Sequence, residues 1–419
     1  MSLFDPDDVT ALPLAGGIHG TFHPEMRISR ILRTPVIALL LVLAMSGVSP
    51  LHAAQGVDDG KILVGTHADL TGPLQAWGAS IRNGIDMAFS EINESGGIEG
   101  RMLRLVMKDD GYDPSAATAA VRDLIDKDRV FALLSPLATP LSIAAATEAV
   151  DRNIPYLFPL TPTDQTPELQ SPYMFALAQP LEEVVAEGLR NFMEIRRGAK
   201  IGVLATGDMF GRGVRAGVIR QLYATGLSLT ADITFAQGAT DYSLPLKWLR
   251  EQDVGLIVLG AAGEDVIAIM QTARAMRWQP TFLCPSSCYT PELAALGGEV
   301  VEGLYAVSDM PIPYPNDRVL GAWAHDYQAR YGVIASRQAL TAYRNARFFL
   351  AALTRAGRTP TQENFRHALE TMPPWTDPLI GGMAIRFSAD NHQAQTGGFL
   401  AQARGGRWSV VVQRSPTRL

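Results

Sequence analysis

The feature that most constrains this chain is a series of short apolar runs that do not alternate with polar residues. They are separated by segments of helical periodicity. A strand covered on one face alternates, whereas a strand covered on both faces reads as a continuous apolar run. Lys61–Thr66 (KILVGT), Arg101–Lys108, Val130–Leu134 and Pro155–Phe158 have this character. Between the first two, residues 79–93 place Ile81, Ile85, Met87, Ala88, Phe89 and Ile92 at helical spacing, with Gly96-Gly97 as the stop. Asp113-Pro114 reads as a helix start, with Asp at the cap and Pro at the first helical position, leading into 115–127. Residues 140–150 predict a further helix. The resulting βαβαβαβ order argues for a parallel sheet with helices on both faces.

The pattern then restarts. Strands are expected at 201–205, 229–235, 256–259, 281–284 and 303–307, with helices at 213–225, 244–252 and 264–277. Two similar series predict an α/β fold of two doubly wound parallel-sheet lobes. Helices follow at 322–331, 338–356 and 362–370. The Gly-rich tail reads as strands at 383–387, 398–403 and 408–412, and is expected to cross between the lobes. The aromatic and aliphatic stripe Tyr343, Phe348, Phe349, Leu350 and Leu353 reads as core packing.

The N-terminal region has a different character. Arg27, Arg30 and Arg33 precede the uncharged run Val36–Met45, and Leu51-His52-Ala53 fits a small-residue cleavage site. That is the layout of a secretory signal peptide over residues 26–53. The run has ten residues, whereas a membrane-spanning helix needs about 20. Residues 1–25 carry no periodicity and are expected to be an extension ahead of a start at Met26. The mature chain is therefore expected to be exported.

Composition and motifs exclude several functions. Lys and Arg number 36 against 42 Asp and Glu, with no basic stripe of the kind nucleic-acid binding requires. The two cysteines, Cys284 and Cys288, supply neither a disulfide scaffold nor a four-ligand zinc site. The segment Gly211-Arg212-Gly213 misses the dinucleotide fingerprint by one residue, and no phosphate-binding P-loop or hydrolase elbow occurs. His67, His325, His367 and His392 are widely separated, and are read as surface or hydrogen-bonded histidines. No cofactor, no metal and no catalytic function is expected.

One turn suggests binding chemistry. Ser135-Pro136-Leu137-Ala138-Thr139-Pro140 ends a strand and opens a helix, with Thr139 placed to cap it. Free amides and the positive end of the helix dipole suit an anion there, beyond the carboxyl end of a strand, where open α/β sheets bind ligands. An ordinary cap would have the same sequence.

Several ordered segments resemble one family. They are Leu70-Thr71-Gly72-Pro73 with Trp77-Gly78, Glu91-Ile92-Asn93 running into Gly96-Gly97-Ile98-Glu99-Gly100, Asp109-Asp110 with Asp113-Pro114, Asp241-Tyr242-Ser243, and Glu302-Gly303-Leu304. Together they are similar to exported solute-binding proteins of the leucine/isoleucine/valine-binding type, over nearly all of 61–412. The resemblance implies the type I periplasmic binding protein fold: two lobes joined by three crossovers, here near Gln179, Ser308 and Gln395. Lobe one would be 57–179 plus 309–394, and lobe two 180–308 plus 395–414. It also implies a monomer that closes on a small molecule and presents it to a membrane ABC permease with its ATPase subunits. A free-standing periplasmic sensor acting on a partner receptor is the alternative.

By resemblance, Trp77 would cover the ligand and the Thr139 hydroxyl would bind its carboxylate. Leu160 and Thr161 would offer backbone groups, and Phe210 holds a position commonly Tyr. Three positions depart from the family's amino-acid binders. Ser286 stands where a carboxylate holds the α-ammonium, Ala262 where an aromatic hydroxyl would be, and Leu181 at an acidic crossover position. A buried ammonium without a carboxylate is costly. The expected ligand therefore has a carboxylate, an apolar or aromatic body and no α-ammonium, unless Glu264 or Asp265 supplies the missing charge. Cys284 and Cys288 lie on the same turn as Ser286, either bridged or free.

Overall fold

The computed structural model describes residues 54–413 apart from 138, 161–170, 237, 262, 378, 380–383 and 395–397, with the backbone alone of 139, 140, 142–144 and 413. The expected signal peptide (26–53) and extension (1–25) lie outside the described residues.

The first sheet is parallel, in the order β2-β1-β3-β4-β5. Its strands are β1 (Lys61–Ala68), β2 (Met102–Asp109), β3 (Ala132–Leu134), β4 (Tyr156–Leu157) and β5 (Met174–Phe175). The connecting helices are α1 (Gln75–Glu94), α2 (Pro114–Asp126) and α3 (Thr139–Val150). β1 runs in register with β2 from Lys61↔Met102 to Ala68↔Asp109, and with β3 at Val64↔Ala132. Asp113 caps α2 as the sequence predicts, accepting from the Ser115 and Ala116 amides. The chain returns to this core as α9 (Gly321–Tyr331), α10 (Arg337–Ala356) and α11 (Gln362–Thr371).

The second sheet has the order β12-β11-β10-β9-β8-β6-β7. It contains β6 (Ile201–Thr206), β7 (Ala231–Phe235), β8 (Leu256–Gly260), β9 (Thr281–Cys284) and β10 (Tyr305–Ser308), all parallel. The antiparallel pair β11 (Phe399–Arg404) and β12 (Arg407–Gln413) closes its edge. The helices are α4 (Leu181–Ile195), α5 (Met209–Ala224), α6 (Ser243–Glu251), α7 (Glu264–Ala275) and α8 (Pro291–Gly297). Successive residues of β8 enter opposite cores: Leu256 and Val258 pack with α4 and α5, Ile257 and Leu259 with α6 and α7. This two-sided burial is the physical reason for the unbroken apolar runs.

The lobe-one core draws on Val57–Leu177 and again on Met310–Ala394, while Ile312 packs with lobe two. Two connecting segments run side by side. The Ala176 amide donates to the His392 carbonyl (2.9 Å), the Ala394 amide to the Ala176 carbonyl (3.0 Å), and Gln393 Nε2 to the Ala178 carbonyl (2.7 Å).

The sequence pattern does not contain β5, α4 or α8. β5 is two residues long, too short to show periodicity. α4 begins after Pro180 without a side-chain cap and holds Gly188 at mid-helix, where an added Cβ would collide with Val307 of β10. Close helix–sheet packing requires glycine at that point. The strand expected at 383–387 is not one: Ile385 makes a single bridge to Trp375, with N···O of 2.9 and 2.7 Å, and Met383 lies outside the described residues. Ile385 and Phe387 are instead buried as isolated apolar plugs of the lobe-one core.

The stripe on α10 is core as expected. Phe348 is 1% exposed and touches the rings of Phe158, Trp375 and Phe387. Phe348→Ala should lower stability by about 3–5 kcal/mol, read by urea denaturation. A loss below about 1 kcal/mol would contradict the packing described.

Candidate functional site

In an open parallel sheet, the crevice forms where neighbouring connections leave to opposite sides. In the first sheet that point lies between β1 and β3, in the second between β6 and β8. The strand ends at these two places are the candidate site.

At the end of β1, Asp69 is fully buried and folds the following turn around its carboxylate. Oδ1 accepts from the Thr71 and Gly72 amides, and Oδ2 from the Leu74 amide (2.6 Å). Gly78 packs on the Asp69 carbonyl so closely that a Cβ would collide with it. Trp77, the neighbouring residue on the first turn of α1, is 38% exposed. Asp109 at the end of β2 braces the same turn, accepting from the Leu70 amide (2.8 Å) and the Thr71 hydroxyl (2.7 Å). These two bonds hold its carboxyl below the usual carboxylate range. Beneath the turn, fully buried His67 joins Asp110 Oδ2 through Nδ1 (2.8 Å) and the Tyr156 hydroxyl through Nε2 (3.0 Å). This is the hydrogen-bonded role expected for a histidine here.

At the ends of β3 and β4 the backbone bends in the same unusual way. Ser135 and Phe158 both have φ of +54°, a left-handed conformation costly for residues with a side chain. One residue holds both. Asn345 Nδ2 donates to Ser135 Oγ (3.1 Å) and to the Phe158 carbonyl (3.2 Å). Leu160, half-buried, ties the two turns together by donating its amide to the Pro136 carbonyl (2.9 Å). α3 starts at Thr139 itself, one residue earlier than a cap at that position implies. Thr161 lies outside the described residues. Asn345 was not among the expected site residues. Its signal is a polar side chain inside the apolar stripe of α10.

In lobe two, Asp208 caps α5 by accepting from the Gly211 amide (2.9 Å), and also accepts from the Thr206 hydroxyl (2.7 Å). Those bonds, the amide first, lower its pKa. Phe210 is half-buried against the α4–α5 core. After β8, Ser287 Oγ donates to the Ala261 carbonyl (3.2 Å), and Ala262 lies outside the described residues. Cys284 and Cys288 are bridged, closing a small loop in which Ser286 is half-buried.

The two acidic groups weighed for an ammonium are differently placed. Glu264 is exposed on the first turn of α7. Asp265 is buried, and its carboxylate accepts from the Gly238 amide (3.0 Å) and the Tyr242 hydroxyl (2.7 Å). Burial and then that carboxylate push the Tyr242 phenol above its usual range. Asp208 thus serves its own turn, and Asp265 ties down the neighbouring loop between β7 and α6. Among the described residues, no three His, Cys, Asp or Glu side chains gather to hold a metal ion. No described helix is long and apolar enough to cross a membrane.

Asp69→Ala should remove the carboxylate that accepts from the Thr71, Gly72 and Leu74 amides, costing about 1–3 kcal/mol. Hydrogen exchange should speed up over residues 70–78 while β1 stays protected. Unchanged exchange there would remove Asp69 as organiser of the turn.

Comparison with known proteins matches residues 61–407 to the family described as periplasmic binding protein. Leu/Ile/Val-binding protein homolog 8 of Brucella suis biovar 1 is 23% identical over 394 residues, covering 87% of this chain and 92% of that protein. A branched-chain amino acid ABC transporter structure from Thermus thermophilus with bound valine superposes with a TM-score of 0.71 at 20% identity, covering 84% of this chain and 96% of that one. A fatty acid ABC transporter substrate-binding protein from Thermomonospora curvata also gives 0.71, at 22% identity, covering 85% of this chain and 93% of that one. Equal structural likeness to proteins with such different named cargoes fixes the fold and leaves the ligand to the site.

Proposed function

From the premise that this chain belongs to the periplasmic binding protein family, we propose that it is the exported binding component of an ABC importer for a small organic acid without an α-ammonium. The observation that carries this reading is the state of the lobe-two acids. Asp208 is bonded to an amide and a hydroxyl of its own turn and Asp265 to an amide and a hydroxyl of the loop between β7 and α6, Glu264 stands exposed, and Ser286 brings no charge. An ammonium desolvated between the lobes would lack a counter-charge there, a cost of several kcal/mol. A carboxylate has support in lobe one, at the start of α3, where the helix dipole and free amides favour an anion.

In this reading Trp77 covers the apolar body of the acid, and Thr139 with the first turn of α3 holds its carboxylate. The segment at Leu160 and Thr161 contributes backbone groups, and Phe210, Ala262 and Ser286 close from the other lobe. Lobe one comprises 57–179 plus 309–394, and lobe two 180–308 plus 395–414. The ligand binds lobe one first and gains added contacts as lobe two closes, which shifts the population to the closed form. The closed monomer, freed of its signal peptide in the periplasm, then docks on a membrane permease with its ATPase subunits. Branched-chain keto acids and benzoate- or cinnamate-type acids fit this description.

A thermal-shift screen of the mature chain against those acids and against leucine, isoleucine and valine tests it. Stabilisation by ammonium-free acids alone is the expected result, and stabilisation by leucine or valine would overturn the ligand class. With the strongest acid found, Thr139→Val should weaken binding by about 10–100-fold, the loss of one hydrogen bond to a charged group. Trp77→Ala should cost a similar factor through lost apolar contact, about 2 kcal/mol. Calorimetry reads both. Unchanged affinity in either variant removes that residue from the site.

A further inference from the structure

Two guanidinium groups in the first half of α10, one buried and one half-buried, have little negative charge around them. Ser336 caps this helix, and Arg337 and Arg344, two turns apart, lie on one face of it. Arg344 is 7% exposed, and among the described residues its Nε and Nη2 donate to Asn345 Oδ1 (3.4 and 3.2 Å). The Arg337 side chain keeps 18% exposure, but its Nε is sealed from solvent without a partner, and Nη1 stands 4.0 Å from Asp309 Oδ1. The other nearby carboxylate, Asp377, is paired with Arg347 (3.2 Å). Glu91 also acts on Arg347, so among the described residues Arg337 and Arg344 are left to share Asp309. Burial lowers the pKa of both Arg337 and Arg344, with Asp309 the first charge opposing it. A stable core would not retain such an arrangement for its own sake, because unpaired buried charge costs several kcal/mol.

The location ties this pair to the crevice. Asn345, next to Arg344, bonds the turns at the ends of β3 and β4. Asp309 directly follows β10, where the chain passes back to lobe one. The cations thus border the lobe-one strand ends and the connecting segment.

We propose that Arg337 and Arg344 form a second anion subsite, so that the preferred cargo is an acid with two anionic groups, typically a dicarboxylate. This rests on the acid-binding reading above: one carboxylate lies at the start of α3, and the second is gripped by the guanidinium fork, whose planar donors suit a carboxylate bidentately. The cost of burying the cations wholly or in part is recovered when the ligand supplies the missing charge, an instance of stability given up at a binding site.

The test uses calorimetry of the mature chain with matched acids, hexanoate against adipate and benzoate against terephthalate, together with the melting temperature of the ligand-free protein. The diacids should bind at least about tenfold more tightly than the matched monoacids, a difference of about 1.4 kcal/mol. Arg337→Met should abolish that preference, and Arg337→Lys should keep part of it. Because Arg337 is held only by a long contact to Asp309 and its Nε is sealed without a partner, Arg337→Met should leave the ligand-free melting temperature unchanged or raised. Equal binding of mono- and diacids, or a preference that survives in Arg337→Met, overturns the subsite while the acid-binding reading stands. A ligand-free Arg337→Met melting well below the parent assigns Arg337 to the fold and likewise overturns it. Failure of all four acids to bind overturns both.

Discussion

One amide, that of Asn345, joins parts of the chain that are far apart in sequence and on which the site depends. Its Nδ2 bonds reach back 210 residues to Ser135 and 187 residues to Phe158. Both turns are held at positive φ, and neither has an intrinsic preference for that conformation. The clamp comes from α10, which the chain makes only after passing through lobe two. Lobe one is therefore completed only after the chain has passed through β6–β10 of lobe two, by contacts of high sequence separation. Such non-local contacts favour slow folding.

The electrostatics of the two lobes differ. In lobe two, acidic groups are spent on backbone amides, Asp208 capping α5 and Asp265 holding the Gly238 turn of the neighbouring loop. In lobe one, Asp69 and Asp109 do the same for the turn before Trp77. The cations Arg337 and Arg344 remain the exception, half-buried and buried and incompletely paired. The arrangement is suited to holding negative charge and unsuited to an ammonium, which is the physical content of the proposed ligand class.

Much of the architecture was legible because both sheets are covered on two faces, so their strands appear as continuous apolar runs. The Asp113-Pro114 start and the α10 stripe were equally plain, since caps and helical periodicity are local. What escaped was non-local or short. β5 has two residues, α4 contains a glycine that exists for its contact with Val307, and the run 383–387 is apolar because Ile385 and Phe387 plug a core. The bridge between Cys284 and Cys288 was undecided by spacing, and the fold brings them together at the end of β9. Asn345 and Arg344 were invisible as site residues, because a polar residue in a helical pattern ordinarily marks the solvent face, and only the tertiary contacts of α10 bury them.

The proposed function requires that the ligand be held between the two lobes and draw them together. Small-angle X-ray scattering of the mature chain, with and without a saturating acid chosen by its thermal stabilisation, reads that closure. The radius of gyration should be smaller in the presence of the acid and return to its original value when the acid is dialysed away. A radius of gyration unchanged at saturation would place the binding site on a single lobe and overturn closure around the ligand.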